Sequence, residues 1–111
     1  MMTPITDETI PIACVPDAIS AADQPRYDDL RQWLEKSRQR VEPLADGFGL
    51  KYQPGAETLG KLADFVALES LCCPFLRFEI DVAPGQGGIS LRMTGREGVK
   101  EFLQAEFGLN R

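Results

Sequence analysis

The sequence contains no histidine, so it lacks the side chain that most often serves as a general base and as a nitrogen ligand of zinc. It also lacks an excess of positive charge. The formal net charge is −5, so no basic surface for nucleic acid or an anionic membrane is expected. The apolar runs are too short to cross a bilayer. These absences weigh against histidine-dependent enzymes, nucleic-acid-binding proteins and membrane proteins.

Cysteine is also scarce, with three residues in the chain. The first residues carry Asp7 and Glu8 and lack the pattern of a signal peptide, so we expect a cytoplasmic location. In a reducing compartment the cysteines are expected to be thiols, metal ligands or redox groups. A chain of 111 residues predicts one domain, which we place at residues 10–111 after a flexible tail at residues 1–9.

Apolar periodicity predicts an α+β domain with elements in the order β-α-β-α-β-β-α. The first strand, at residues 10–15, is at most an edge strand, because prolines interrupt and follow it. The first helix covers residues 24–41 and is stopped by Pro43, and the second covers residues 56–73 and is stopped by Pro74. This order predicts a two-layer sandwich, in which helices cover one face of a small, mainly antiparallel sheet.

The last two strands are predicted to form a β-hairpin. A glycine-rich loop at residues 84–88 joins two alternating runs whose apolar members are expected to face the helices: Phe78, Ile80, Val82, Ile89, Leu91 and Met93. Thr94 and Glu97 then have the spacing of a capping box, which predicts a final helix.

The most informative stretch is the end of the second helix, residues 65–75. At helical spacing Phe65, Glu69 and Cys73 share one apolar face, so Glu69 places a carboxyl group where hydrocarbon is expected. A buried carboxylate needs a cation, a hydrogen-bond donor or a metal ion to compensate its lost hydration. A structural pair is the ordinary explanation, and its candidate partners are Arg31, Arg38, Arg77, Arg92 and Tyr52.

The cysteines provide a candidate metal site. Cys14, Glu69, Cys72 and Cys73 offer sulfur and oxygen ligands that suit a thiophilic ion such as Zn(II), Hg(II) or Cu(I). Adjacent side chains on a helix diverge by about 100°. We therefore expect only one of Cys72 and Cys73 to join Cys14 and Glu69 around one tetrahedral ion. Cysteines packed as small hydrophobes would explain the same pattern, and the negative end of a helix disfavours a reactive thiolate.

The motif Glu-x-x-Cys-Cys-Pro-Phe at residues 69–75, with an early cysteine and the Thr-Gly-x-Glu-Gly start of the last helix, resembles a family of small uncharacterised bacterial proteins. The Glu-x-x-Cys-Cys part is also similar to a segment of metal-responsive regulators of the mercury-resistance type. This chain has no sign of their DNA-binding helices. The resemblance implies a role in soft-metal or thiol chemistry and supplies no activity.

Three classes of function follow. The leading hypothesis is a small thiol-containing protein that binds a soft metal ion or another thiophile through Cys14, Glu69, Cys72 and Cys73. The alternative is a structural or protein-interaction domain, expected to be a homodimer, whose cysteines are only packed. The third is an enzyme that uses a cysteine or Glu69, to which no catalytic residue is assigned.

Overall fold

The structure, a computed structural model, describes residues 9–109. The rest of the predicted flexible tail, residues 1–8, lies outside the described residues, as do residues 110–111. After a short 3-10 turn at Pro16–Ala18, the elements are α1 (Gln24–Ser37), β1 (Arg40–Leu44), β2 (Gly47–Tyr52), α2 (Ala56–Cys72), β3 (Arg77–Val82), β4 (Ile89–Thr94) and α3 (Val99–Phe107).

The strands form one sheet of four in the order β1-β2-β4-β3, and every neighbouring pair is antiparallel. The helices pack on one face of this sheet, so the predicted two-layer α+β sandwich is confirmed. The core lies between the layers, where the largest fully buried side chains include Phe48, Leu50, Leu62, Phe65, Leu91 and Met93. None of the helices in the described part of the chain is long and apolar enough to cross a bilayer.

The predicted β3–β4 hairpin is confirmed. Phe78 is opposite Met93 and Ile80 is opposite Leu91, so the apolar members of the two strands share the face that the helices cover. Val82 is an exception, because its side chain is 56% exposed. It is the last residue of the edge strand β3, so burial of this position was wrongly expected.

The first predicted helix was too long. It ends at Ser37, and Arg38 is already extended, with φ −65° and ψ 125°. Val41 was predicted to end this helix and Pro43 to follow it. Both residues belong instead to β1, which pairs with β2. A proline has no amide hydrogen to donate to a neighbouring strand, and an edge strand such as β1 accommodates this. This strand was not predicted from the sequence, where Pro43 indicated only the end of the helix.

The strand predicted at residues 10–15 is absent from the described sheet. These residues instead form an irregular segment that, with the 3-10 turn and Ile19, we call the N-terminal segment (residues 10–19). Ile10 and Ile12 pack against the core, and Ile19 is buried in it. The backbone N–H of Val15 donates to the carbonyl of Cys72 at 2.7 Å, so this segment lies along the C-terminal end of α2.

The final helix α3 forms as predicted, with Val99 and Leu103 fully buried. Its start differs from the prediction. The capping residue is Gly98, in the left-handed region at φ 99°, and no side chain caps the helix. Thr94 is the last residue of β4. The predicted capping box with Glu97 is therefore not formed, because glycine makes a sharp left-handed entry into the helix at no steric cost.

Candidate functional site

The C-terminal end of α2 decides where two of the cysteines point. The helix ends at Cys72, and Cys73 adopts φ −123° and ψ 74° while its backbone N–H still donates to the carbonyl of Glu69 at 2.7 Å. The residue before a proline is driven away from helical geometry, and Pro74 follows directly. Because Cys73 has left the helix, its side chain no longer follows the 100° helical spacing from Cys72.

The N-terminal segment brings the third cysteine to this helix end. Its Cys14 is half-buried, and the sulfur atoms of Cys14 and Cys73 lie 3.0 Å apart. The three sulfur atoms of Cys14, Cys72 and Cys73 all lie within 4.8 Å of one another. The cluster could therefore hold a metal ion. Both adjacent cysteines lie near Cys14 because Cys73 is not helical. The expectation that only one of them joins Cys14 and Glu69 around a tetrahedral ion stays a prediction.

Glu69 lies beside this cluster and is fully buried, with 0% of its surface exposed. One carboxyl oxygen, Oε1, accepts a hydrogen bond of 2.5 Å from the hydroxyl of Tyr27. The other, Oε2, accepts one of 3.7 Å from the thiol of Cys73. Glu69 therefore contacts the cluster through the thiol of Cys73. Among the described residues, the ligand atoms that all lie close to one another are the three sulfurs.

The hydrogen bonds continue from Glu69 to the protein surface. Arg31 donates from Nη1 to the hydroxyl oxygen of Tyr27 at 3.0 Å. It also forms an ion pair of 3.4 Å with the carboxylate of Glu106 and donates from Nη2 to the backbone carbonyl of that residue at 3.1 Å. A continuous chain thus runs from the Cys73 thiol through a carboxyl group, a phenol and a guanidinium group.

The partner of Glu69 was predicted only in part. Burial and bonding to an arginine, a tyrosine or a backbone donor were expected, and the donor is a tyrosine. It is Tyr27 instead of Tyr52, whose hydroxyl donates to the backbone carbonyl of Leu34 at 2.7 Å. Arg31 acts one residue further away, through Tyr27. The signal in the sequence was the hydroxyl group of Tyr27, which lies at helical spacing from the buried Leu30 and Leu34 of α1.

Burial dominates the protonation of the site. It raises the pKa of the Cys14 thiol to about 11, and the hydrogen bond with Cys73 opposes this change. Burial likewise raises the pKa of Cys73, and Cys14 and the charge of Glu69 add to the shift. The pKa of Glu69 is raised by burial as well, against the opposing effects of Tyr27 and Arg31. Cys14 and Cys73 are therefore protonated thiols at neutral pH, which makes them weak nucleophiles.

Comparisons with protein-family models, with curated proteins and with solved structures found no match. The resemblance based on the motif at residues 69–75 therefore stays a prediction. A functional interpretation therefore depends on the site itself, in which three sulfur atoms lie together at the end of α2 beside a buried carboxyl group.

Proposed function

We propose that this protein binds a thiophilic metal ion through Cys14, Cys72 and Cys73, with Glu69 beside the ion. The observation that carries the proposal is the convergence of three sulfur atoms within 4.8 Å of one another. Thiolate ligands favour soft ions, among which Hg(II), Cu(I) and Zn(II) are the candidates. The absence of histidine from the sequence leaves sulfur as the main ligand that this chain can offer such an ion.

The distances support binding after small movements. In a planar site with metal–sulfur bonds of about 2.3 Å, the sulfur atoms lie about 4 Å from one another. The Cys14 and Cys73 sulfurs are 3.0 Å apart, so that pair has to widen. Cys14 is the ligand that can move, because it is half-buried and belongs to an irregular segment instead of a helix.

Glu69 is the proposed oxygen ligand. When Cys73 binds an ion it gives up its proton, and the Oε2 atom of Glu69 then loses the thiol that donates to it at 3.7 Å. The hydroxyl of Tyr27 continues to hold Oε1. The carboxylate thus has one fixed oxygen, Oε1, while Oε2 becomes available to the ion. Oε2 would complete a site of three sulfurs and one oxygen for an ion that prefers four ligands.

A structural or protein-interaction domain is the second candidate function. It is favoured by the completeness of the network, since no buried side-chain nitrogen or oxygen atom in the described residues lacks a hydrogen-bond partner. The cysteines would then be packing residues, and the predicted homodimer belongs to this alternative. The enzyme hypothesis receives less support, because the raised pKa values of Cys14 and Cys73 disfavour a nucleophilic thiolate.

Thermal unfolding of the protein in the presence of Zn(II), Hg(II) or Cu(I) tests the proposal. The protein is kept reduced and free of oxygen, so that the Cys14 and Cys73 sulfurs, 3.0 Å apart, stay thiols. A ligand that binds only the folded state stabilises it by about 2.7 kcal/mol at a free concentration one hundred times the Kd. We expect this stabilisation for at least one of the ions, and its loss in at least two of the variants Cys14→Ser, Cys72→Ser and Cys73→Ser.

A double substitution provides the matched control. Cys72→Ser combined with Ser70→Cys keeps three thiols in the chain but moves one to an exposed position on α2, away from the cluster. It should behave like Cys72→Ser alone. If the wild-type protein gains no stability, or if all variants gain as much as the wild type, the metal-ion proposal is refuted and the interaction-domain alternative is favoured over it.

A further inference from the structure

The charge around the cysteine cluster restricts what can bind there. The fully buried carboxyl group of Glu69 lies against Cys73, so negative charge on this sulfur is opposed by a neighbouring acid. The nearest cation in the hydrogen-bond chain, Arg31, contacts Tyr27 and is already paired with Glu106. Among the described residues of this hydrogen-bond chain, no unpaired cation would neutralise the buried charge that three thiolates add.

The valence of the bound centre determines how much of that charge remains. Three thiolates carry a charge of −3. A monovalent ion such as Cu(I) leaves −2, a divalent ion such as Zn(II) or Hg(II) leaves −1, and a trivalent centre leaves none. Uncompensated charge in a buried site is costly. Because Cys72 and Cys73 are buried, the three sulfurs favour the trivalent centre.

We infer that the three cysteines bind a trivalent metalloid, taken up as a neutral trihydroxy acid of arsenic or antimony. This inference rests on the proposed function, because it requires the same three cysteines to act together as ligands. Each thiol forms one sulfur–metalloid bond, one metalloid–oxygen bond breaks, and the thiol proton leaves with the hydroxide as water. Three such exchanges give a neutral complex and three water molecules, with no change of oxidation state.

The number and position of the ligands agree with this centre. A trivalent metalloid carries a lone pair and binds three ligands in a pyramid, so it needs no fourth protein ligand. The cluster supplies three sulfurs within 4.8 Å of one another. Cys72 and Cys73 are 5% and 0% exposed, whereas Cys14 is half-buried. Exchange would begin at Cys14, and the two inner thiols would then enclose the metalloid.

Arsenite and antimonite are the probes, added to the reduced full-length protein and followed by native mass spectrometry. We expect one arsenic atom per chain, with a mass increase equal to arsenic minus three hydrogens. Each of the variants Cys14→Ser, Cys72→Ser and Cys73→Ser should lower the association constant by more than about tenfold, or 1.4 kcal/mol. Asp64→Ala, which removes an exposed carboxylate from the same helix, should retain arsenite binding.

A second measurement, made on the wild-type protein, tests the site even if the variants fail to fold. In the wild-type protein, X-ray absorption at the arsenic edge should find three sulfur atoms and no oxygen atom bound to arsenic. Two sulfur atoms, or an oxygen atom that shows a retained hydroxyl group, would overturn the three-thiol site.

The two proposals fail separately. Stabilisation by Hg(II) or Zn(II) without any binding of arsenite or antimonite would refute the metalloid inference and leave the metal-ion proposal standing. Binding of arsenite without stabilisation by any of the three metal ions would support the metalloid inference and refute the metal-ion proposal. If neither class of ligand binds, both proposals are refuted.

Discussion

The layer formed by α1 and α2 has two different ends. The helices run in opposite directions, because Tyr27 near the start of α1 contacts Glu69 near the end of α2, while Trp33 meets Lys61 at the other end. We call the group of Trp33, Tyr52 and Lys61 the aromatic end. The cysteine end consists of Tyr27, Glu69 and the three cysteines.

The aromatic end is built from ordinary packing. The rings of Trp33 and Tyr52 stack with their centroids 5.4 Å apart at an angle of 13°, and the ammonium group of Lys61 lies 5.5 Å from the Trp33 ring centre. Trp33 thus packs within the chain. Stacking and cation–π contacts of this kind stabilise a fold and need no ligand.

The two buried tyrosines show what distinguishes the ends. Burial raises the pKa of both hydroxyl groups. Tyr52 donates to a backbone carbonyl, a neutral partner, whereas Tyr27 donates to the carboxyl group of Glu69. Replacing buried ionisable groups by hydrocarbon is often neutral or stabilising, so stability alone does not explain the cysteine end. The comparison therefore favours the cysteine end as the place of the proposed function.

The largest effect is expected from a substitution that disrupts the cysteine end. Glu69→Ala should lower the free energy of unfolding by about 3 kcal/mol, because it opens a cavity and leaves the hydroxyl of Tyr27 and the thiol of Cys73 without their acceptor. Glu69→Gln should cost less, since its shape and one acceptor oxygen are kept. Urea denaturation measures both variants.

Asp64→Ala is the control for this prediction, because it removes an exposed carboxylate from the same helix. Its effect should stay within about 0.5 kcal/mol. If Glu69→Ala is as stable as the wild type, the buried carboxyl group is not held by the contacts described above.

The next largest effect is expected from a substitution that disrupts the aromatic end. Trp33→Ala should cost about 2 kcal/mol, because the indole is half-buried and loses its stacking on Tyr52. Metal-ion or arsenite binding should be unchanged once the lower starting stability is taken into account. Equal loss of ligand binding in this variant would show that the two ends do not act separately.

A pair of smaller substitutions sharpens the comparison. Tyr27→Phe and Tyr52→Phe each remove one hydroxyl group that donates a hydrogen bond and should each cost about 1 kcal/mol. Only Tyr27→Phe should raise the pKa of Glu69 further, because the hydrogen bond from Tyr27 favours its charged form. Carboxyl chemical shifts in an NMR titration measure this. A shift in Glu69 that is equal in the two variants would contradict the assignment of Tyr27 as its partner.

The smallest expected effect is a dependence on pH. Burial raises the pKa of Glu69 above its ordinary value of 4.5, so on raising the pH the unfolded chain loses this proton before the folded one does. The stabilisation from Glu69 is therefore complete below about pH 4.5 and is lost as the pH rises through the folded-state pKa. Relative to Glu69→Gln, the wild type should become less stable over that range in urea titrations. A constant difference between the two proteins would contradict the shift.

Local patterns in the sequence determined much of the fold. Alternation with a period of two identified the β3–β4 hairpin, and spacing near 3.6 residues placed Glu69 and Phe65 on the buried face of α2. Both patterns report which side of an element faces the core, and both residues are fully buried. The burial of Glu69 and its need for a donor were predicted in the same way.

Tertiary structure decided what local patterns do not encode. Val41 and Pro43 belong to a strand because β2 is present to pair with them. Cys14 reaches Cys73, 59 residues away, through an irregular segment without a periodic pattern. The choice of Tyr27 over Tyr52 as the donor to Glu69 depends on how α1 is placed along α2. Periodicity gives the direction of a side chain from its own element, whereas the partner that it meets depends on how separate elements pack.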